Sequence, residues 1–262
     1  MTSLYTALCV MGPRSNELMS KLTQLSLSDY ELESFPFFSS RKMNVACAPD
    51  VLTMRLTHTG ENGFLFYIPN EFAIHVYDAI IEAGKEFGLK HCGFFAQRAV
   101  RIEKFLAYWG QDLDSFTTPV ECMRDHSPRC KLNKNIHFKG REVIEAQREN
   151  GIKRMFVMLL LNNSVEEHNS EVDPWPWGGE PIHRDGRYCG TVTTASYGFS
   201  LGRQICLGFV QDLSDGFNNP VTHGVKEFKE FVNSGIYEIN IGGQMYPAEP
   251  HLIPPKLPDK VS

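Results

Sequence analysis

The sequence predicts an α+β fold in which a portion with both helices and strands, up to about residue 150, is followed by a small antiparallel β-barrel or β-sandwich. Two observations indicate this arrangement. Before residue 150, segments with helical spacing of apolar residues alternate with segments of strand-like alternation. After residue 150, short apolar segments are separated by glycine-bearing turns, which is typical of small barrels and sandwiches. The chain has 262 residues, of which 42% are hydrophobic, and this is enough to bury a sizeable core.

The first predicted elements are a strand, a helix and a β-hairpin. Residues 4–10 are rich in apolar side chains and predict a buried strand, and a turn with Ser15 as a helix cap follows. Residues 52–58 alternate between apolar and polar side chains, and so do residues 64–68. They predict a β-hairpin whose connecting turn carries Glu61.

Three helices are predicted before the barrel. Asn70 is placed to cap the most regular of them, whose apolar face includes Val76 and Ile80, and Gly88 ends it. The second helix is predicted over residues 94–105. The third begins near residue 140 and ends at the Asn-Gly pair of residues 150–151.

The barrel portion begins with an uninterrupted apolar run at residues 155–161, which predicts a strand, and an aperiodic loop at residues 162–173 follows. Further short strands are predicted at residue 182 and at residues 188–193, 205–210, 237–241 and 245–249. The proline-rich carboxyl tail is predicted to be loose. This change of pattern places the predicted boundary between two domains, residues 1–150 and residues 151–262.

Composition excludes several classes of protein. The formal net charge of −5 argues against nucleic acid as a partner. The mean hydropathy is −0.26 and no apolar run approaches about 18 residues, so no membrane span is predicted. The seven cysteines are scattered without a C-x-x-C pair, which favours a reducing compartment over disulfides or a zinc site. The sequence opens directly on the first predicted strand, with no pattern of a signal or transit peptide, and this leaves a truncated product or gene model open as one interpretation.

Glu61 is the first candidate for ligand binding. A carboxylate held in a glycine-flanked turn can accept two parallel N–H bonds from an amidine-like edge, such as that of a pterin. The alternative is a turn residue in a solvated hairpin, and spacing alone favours this structural interpretation.

Charged residues in the second helix and beyond are weaker candidates. Arg98 and Arg101 lie three residues apart and could hold an anion, although ion pairs within the structure are favoured. Asp112 and Glu121 could serve acid–base chemistry, but their nine-residue separation specifies no geometry, and structural roles are favoured. The spacing of His126, Cys130 and His137 fits no metal motif, so neither a metal site nor a nucleophilic cysteine is predicted. His58 is interpreted as a core or rim histidine.

Trp175 and Trp177 belong to a Trp-Pro-Trp-Gly-Gly-Glu-Pro sequence at residues 175–181. Prolines and glycines on either side of two tryptophans predict a rigid aromatic ledge. Such a ledge could stack a flat ligand or anchor a partner protein, because tryptophan is enriched at interface hot spots. The alternative, in which both indoles cover the barrel mouth, is equally compatible with the sequence.

Several motifs together resemble the folate-binding domain of the glycine-cleavage T-protein (aminomethyltransferase) family, which includes the fused domains of dimethylglycine and sarcosine dehydrogenases. They occur in family order along nearly the whole chain. The matching segments are residues 7–15, 57–63, 101–104, 109–112, 118–121, 131–134, 138–142 and 206–210. Residues 57–61, 175–182 and 195–201 resemble one branch of that family, the regulatory subunits of pyruvate dehydrogenase phosphatase.

The resemblance implies a T-protein-like folate-binding domain that is incomplete at its amino end, followed by the family's β-barrel. Glu61 matches the glutamate that binds the pterin, and Arg98 matches an arginine of the folate pocket. Three features depart from the enzymes. The catalytic aspartate of the family lies upstream of residue 1, Ala99 replaces an aspartate, and residues 122–125 differ from the usual Gly-Leu-aromatic sequence.

These departures favour a non-catalytic, regulatory-subunit-like module in the mitochondrial matrix. Its expected partner is the catalytic subunit of pyruvate dehydrogenase phosphatase, and the ledge of Trp175 and Trp177 is its expected contact. The alternative is the folate-binding part of a dimethylglycine or sarcosine dehydrogenase or an aminomethyltransferase in one-carbon metabolism. In that case tetrahydrofolate is the cofactor at Glu61 and Arg98, and FAD is implied only if an upstream domain exists. A fragment that cannot fold alone is the third hypothesis.

Overall fold

The computed structural model describes residues 2–23, 35–126, 130, 132, 136–162 and 174–257. Their packing divides the chain into two compact units, Met1–Gln97 and Arg98–Ser262. The domain boundary near residue 151 was drawn from a change in sequence pattern, and it stays a prediction. No described helix combines the length and the apolar character needed to cross a membrane.

The first unit is built on a four-stranded antiparallel sheet with the order β1-β4-β3-β2. Its strands are β1 (Tyr5–Met11), β2 (Ser40–Val45), β3 (Ala48–Arg55) and β4 (Gly63–Pro69). The helices α1 (Ser15–Thr23) and α2 (Ala73–Gly84) pack against it. Phe64, Phe66 and Ile68 alternate along β4 and are each at most 1% exposed, so this central strand supplies the core of the unit.

The predicted hairpin is confirmed, since β3 and β4 pair antiparallel with Leu52 opposite Tyr67. The helix after it is also confirmed, and Gly88 ends the following 3₁₀ turn with a φ of 71°. Two expectations are wrong. The strand β1 is an edge strand and Tyr5 is 44% exposed, so it is not buried. Asn70 does not cap α2, because its side-chain amide donates to the carbonyl of Ser3 instead.

The second unit contains a closed barrel with the strand order β10-β5-β8-β7-β6-β9, which confirms the barrel predicted from the sequence. Its strands are β5 (Arg154–Leu161), β6 (Pro181–Arg184), β7 (Arg187–Gly198), β8 (Arg203–Gln211), β9 (Tyr237–Ile241) and β10 (Gln244–His251). The helices are α3 (Phe94–Glu103), α4 (Arg141–Asn150) and α5 (Val225–Ser234). The sequence boundary between the two units falls within α3, after Gln97.

The strand β5 explains why residues 155–161 are apolar without alternation. Val157 and Leu159 belong to one core cluster together with Phe228 and Val232 of α5. Phe156 and Met158 belong to a second cluster with Ile102 of α3. Both faces of the strand are therefore covered, and neither face tolerates polar side chains.

Some sequence-based expectations differ in extent from the structure. The helix α3 ends at Glu103 rather than at residue 105, where Phe105 has a φ of 53°. The helix α5 and the strand β2 were not predicted. Most of the loop expected at residues 162–173 and the end of the proline-rich tail lie outside the described residues.

Candidate functional site

Glu61 lies in the connection between β3 and β4 and is half-buried. The hydroxyl of Thr57 organises this turn by accepting hydrogen bonds from the amides of Thr59 at 3.2 Å and Gly60 at 2.8 Å. Gly60 has a φ of 79°, which glycine adopts without steric cost. The turn therefore has a defined backbone in which the position of Glu61 is fixed.

A second polar atom lies close to Glu61 in sequence. The hydroxyl oxygen of Thr59 is buried and has no hydrogen-bond partner among the described residues. At the preceding position, burial lowers the pKa of His58, so its imidazole is neutral at physiological pH. A half-buried carboxylate and an unsatisfied hydroxyl in one turn fit a ligand that presents several hydrogen-bonding groups.

Arg98 lies on α3 in the other unit and is 9% exposed. Its Nη2 donates to the carbonyl oxygen of Trp177 at 2.5 Å, and its guanidinium lies 5.7 Å from the centre of the Trp177 ring. Burial lowers the pKa of Arg98, and the charge of Arg101 lowers it further. The Nε of Arg98 is buried without a partner among the described residues, so one donor of this guanidinium is available.

Arg101 and Asp112 form a buried ion pair. Arg101 Nη1 lies 2.8 Å from Asp112 Oδ2, and the two side chains are 3% and 0% exposed. The remaining oxygen of Asp112 accepts a hydrogen bond of 2.6 Å from the hydroxyl of Thr193. Both groups are therefore engaged within the protein, in agreement with the structural interpretation.

Glu121 is engaged in the same manner. Its carboxylate forms two hydrogen bonds with the guanidinium of Arg154, at 3.0 and 3.3 Å, and accepts another from the amide of Thr118. Asp112 and Glu121 thus have separate arginine partners. Both carboxylates are therefore engaged in ion pairs within the protein, in agreement with the structural interpretation.

The ledge, residues 175–181, is attached to the barrel at several points. The carboxylate of Glu180 accepts hydrogen bonds from the amides of Trp177 and Gly178 at 2.7 and 2.9 Å. The amide of Gly179 donates to the carbonyl of Val192 in β7. Gly178 is required here, because a Cβ would lie 2.7 Å from the carbonyl oxygen of Thr193.

The two indoles of the ledge are in contact with each other and with solvent. The rings of Trp175 and Trp177 lie 6.2 Å apart in an edge-to-face arrangement, and Trp177 is 55% exposed. An indole that is held in place and yet open to solvent has the character of an interface anchor. Trp175 is half-buried.

The structure joins three of the four predicted site residues, because Trp177 contacts both Arg98 and Trp175. Glu61, the fourth, belongs to the other unit. Sequence reasoning missed two residues that hold the ledge. Glu180 follows Trp177 by three residues and could have been recognised as a local turn acceptor. Gln204 donates to the carbonyl of Pro174 across 30 residues, and no local pattern indicates that bond.

The cysteines and histidines form no evident reactive group in the described part of the chain. Burial raises the pKa of Cys130, and it raises that of Cys122 to about 12, which is opposite to what a nucleophilic thiolate requires. Within the described residues, no cluster of three His, Cys, Asp or Glu side chains could hold a metal ion. His126 lies 3.5 Å from Asp125, and no third metal-ligating side chain joins this pair.

Two family models match the sequence. The model of the GCVT N-terminal domain matches residues 1–126, and that of the glycine cleavage T-protein C-terminal barrel domain matches residues 164–255. A crystal structure of glycine cleavage system aminomethyltransferase T from Bartonella henselae superposes with a TM-score of 0.70 and 18% identity. It covers 97% of this chain and 61% of that chain, and it shows a common fold.

Curated relatives share substantially more sequence. The chain is 39% identical over 252 residues to the mouse protein named pyruvate dehydrogenase phosphatase regulatory subunit, mitochondrial, covering 95% of this chain and 27% of the relative. It is 32% identical over 250 residues to human mitochondrial sarcosine dehydrogenase, covering 95% and 25%. An aminomethyltransferase of Thermoanaerobacter pseudethanolicus is 34% identical over 205 residues, covering 78% and 50%. The chain therefore spans about a quarter of the length of the mouse and human relatives.

Proposed function

The chain belongs to the glycine cleavage T-protein family, and from this membership we propose that it is a non-catalytic module of the regulatory-subunit type. The family resemblance and the α+β fold with a closed barrel that the sequence predicted are confirmed. The proposed partner is the catalytic subunit of pyruvate dehydrogenase phosphatase, and the proposed compartment is the mitochondrial matrix. Support for both comes from the name and the 39% identity of the mouse relative.

The contact between Arg98 and Trp177 carries this proposal. Arg98 matches an arginine of the folate pocket in the family, yet here its guanidinium binds the carbonyl and faces the indole of Trp177. One N–H donor of the guanidinium that a ligand would use is thus already bonded to the protein itself. At the same time the contact fixes a half-exposed tryptophan at the surface, which supports a protein-binding role for the ledge.

We expect Trp177→Ala to weaken binding of the phosphatase catalytic subunit at least tenfold, or about 1.4 kcal/mol or more. The reason is that alanine removes the exposed indole, while its carbonyl can still accept the bond from Arg98. Biolayer interferometry with immobilised catalytic subunit would measure the dissociation constant. Phe217→Ala is the matched control, since Phe217 is an aromatic residue that is 71% exposed elsewhere on the same unit.

The Trp177 experiment separates two parts of the proposal. Equal weakening by both substitutions would mean that the ledge has no special role. Absence of any complex with the unchanged chain would contradict the regulatory-subunit function itself.

A retained tetrahydrofolate site is the second candidate, and the turn at Glu61 favours it. A carboxylate at Glu61 and the unsatisfied hydroxyl of Thr59 in the same turn would fit an aminopyrimidine edge, which presents neighbouring donors and acceptors. When bound, tetrahydrofolate supplies one-carbon acceptor chemistry. Under this hypothesis Glu61 binds and orients the cofactor, and the folate role of Arg98, which lies in the other unit, stays a prediction of the family resemblance.

For this second candidate we expect Glu61→Gln to lower tetrahydrofolate affinity at least about tenfold, because the glutamine amide would face ligand N–H donors and leave them unpaired. Isothermal titration calorimetry compares the two proteins. Glu71→Gln, at an exposed position in the same unit, serves as the control. Binding that survives in Glu61→Gln would remove Glu61 from the site, and no binding to the unchanged chain would reject the folate hypothesis.

A further inference from the structure

A cleft of about 420 Å³ opens in the second unit beside the loop of residues 109–115. Its volume lies within the range of sites that hold small ligands or single side chains. Neither the sequence motifs nor the proposed function assigns a role to it. Its walls include Trp109, Leu113, Asp114, Arg154 and Phe209.

The charges around the cleft do not cancel. Arg154 lines the cleft but is neutralised by its two hydrogen bonds with Glu121. Asp112 also lines it and is neutralised by Arg101. Asp114 differs, because the described residues give it no ion pair. Among the described residues, Asp114 is therefore a carboxylate of the cleft without an ion-pair partner, and the charge of Arg154 acts on it from a longer distance.

Asp114 is held in place by neutral donors. Its Oδ1 accepts hydrogen bonds from the hydroxyl of Thr117 at 2.8 Å and from the amide of Phe116 at 2.9 Å. These bonds, the hydroxyl of Thr117 first, lower the pKa of Asp114, so that it is ionised at neutral pH. A fixed anion at the edge of a cleft attracts a cation.

The aromatic walls point to an organic cation with an aliphatic stem. Trp109 is 67% exposed, so one surface of its indole is open to an incoming group. The guanidinium of Arg154 already lies 4.4 Å from the centre of the Phe209 ring, which shows that the cleft geometry accommodates a cation over an aromatic ring. Leu113 adds an apolar wall, against which methylene groups would pack.

We propose that this cleft binds the lysine or arginine side chain of an incoming peptide. The terminal cation would pair with Asp114 and lie over Trp109, while the methylene stem would pack against Leu113. A hydrated metal ion would gain nothing from the indole. An uncharged apolar side chain would leave Asp114 without a counter-charge.

The test uses three capped amino acids and the unchanged chain. N-acetyl-lysine methylamide and N-acetyl-arginine methylamide are the basic probes, and N-acetyl-norleucine methylamide is the uncharged probe with a similar stem. Titration is followed through the indole ¹⁵N–H resonance of Trp109 in NMR spectra. We expect saturable shifts with both basic probes and at least about fivefold weaker binding of norleucine.

Two matched variants test the role of charge. Asp114→Asn keeps the size of the side chain and should weaken both basic probes by about threefold or more, with little effect on norleucine. Asp215→Asn removes an exposed carboxylate outside the cleft and should change nothing. The indole resonance of Trp177 reports whether each variant retains its fold.

Three outcomes would overturn the proposal. They are the absence of a saturable shift at Trp109, equal affinity for norleucine and lysine, and unchanged affinity of folded Asp114→Asn for the basic probes. No phosphatase subunit or folate is present in this experiment. Its result is therefore independent of the function proposed above.

Discussion

Replacing Asp112 by alanine is expected to lower the free energy of unfolding by about 3 kcal/mol. The substitution leaves the guanidinium of Arg101 buried without its counter-charge, since the side chain of Arg101 is only 3% exposed. Arg101 keeps hydrogen bonds to the carbonyl of Leu106 and the side chain of Gln111, which is why we place the effect at the lower end for a broken buried pair. Urea denaturation followed by circular dichroism measures the change.

Asp215→Ala is the control for Asp112→Ala, because this aspartate is exposed and its removal should change stability by less than about 0.5 kcal/mol. Asp112→Asn should fall between the two, since an amide oxygen can still accept from the amide of Tyr108, which now donates to Asp112. A loss below about 1 kcal/mol in Asp112→Ala would show that the ion pair is not a determinant of stability.

The strand β5 was predictable because its constraint is local, whereas closure of the strands into a barrel was implied by the family resemblance. A strand covered on both faces must be apolar at every position, and residues 155–161 have that composition. The hairpin of β3 and β4 was predictable for the complementary reason, because one half-buried face imposes alternation. In both cases the side-chain pattern of a single segment reflects its surroundings.

The two missed elements have different causes. The helix α5 has an apolar face with Phe228 and Val232, but it is only ten residues long and lies between short strands, so its helical periodicity is a weak signal. The strand β2 carries Arg41 and Lys42 and lies at the edge of its sheet. Its extended conformation depends on pairing with β3, and the residues of β2 alone do not indicate that pairing.

In the candidate site, too, single residues could be predicted from the sequence nearby, whereas contacts between distant residues could not. Trp177 and Arg98 could each be singled out from the sequence, the first by its neighbours and the second by family resemblance. Their hydrogen bond joins positions 79 residues apart, and no periodicity encodes it. Glu61 stays a prediction, because a turn pattern fixes where its backbone lies and leaves open what its carboxylate binds.

Gly190→Ala is the second substitution from which we expect a large effect, a loss of about 3 kcal/mol in the free energy of unfolding. Gly190 lies in β7, and a Cβ at this position would be 1.9 Å from the carbonyl oxygen of Phe209 in β8. The obstacle is backbone, so no change of rotamer relieves it. Thr191→Ala, at the next and exposed position of the same strand, should cost less than about 1 kcal/mol.

The barrel geometry extends the expected effect of Gly190→Ala to the ledge. Gly190 pairs with Val210 on one side and with Ile182 on the other, so a shift of β7 disturbs both neighbouring strands of a closed barrel. Val192, two residues further along β7, holds the ledge through hydrogen bonds with Gly179 and Glu180. Hydrogen exchange of the amides at residues 178–180 should therefore accelerate in Gly190→Ala while remaining unchanged in Thr191→Ala. If the free energy of unfolding of Gly190→Ala equals that of the unchanged chain and those amides stay protected, the close approach of β7 and β8 does not determine where the ledge lies.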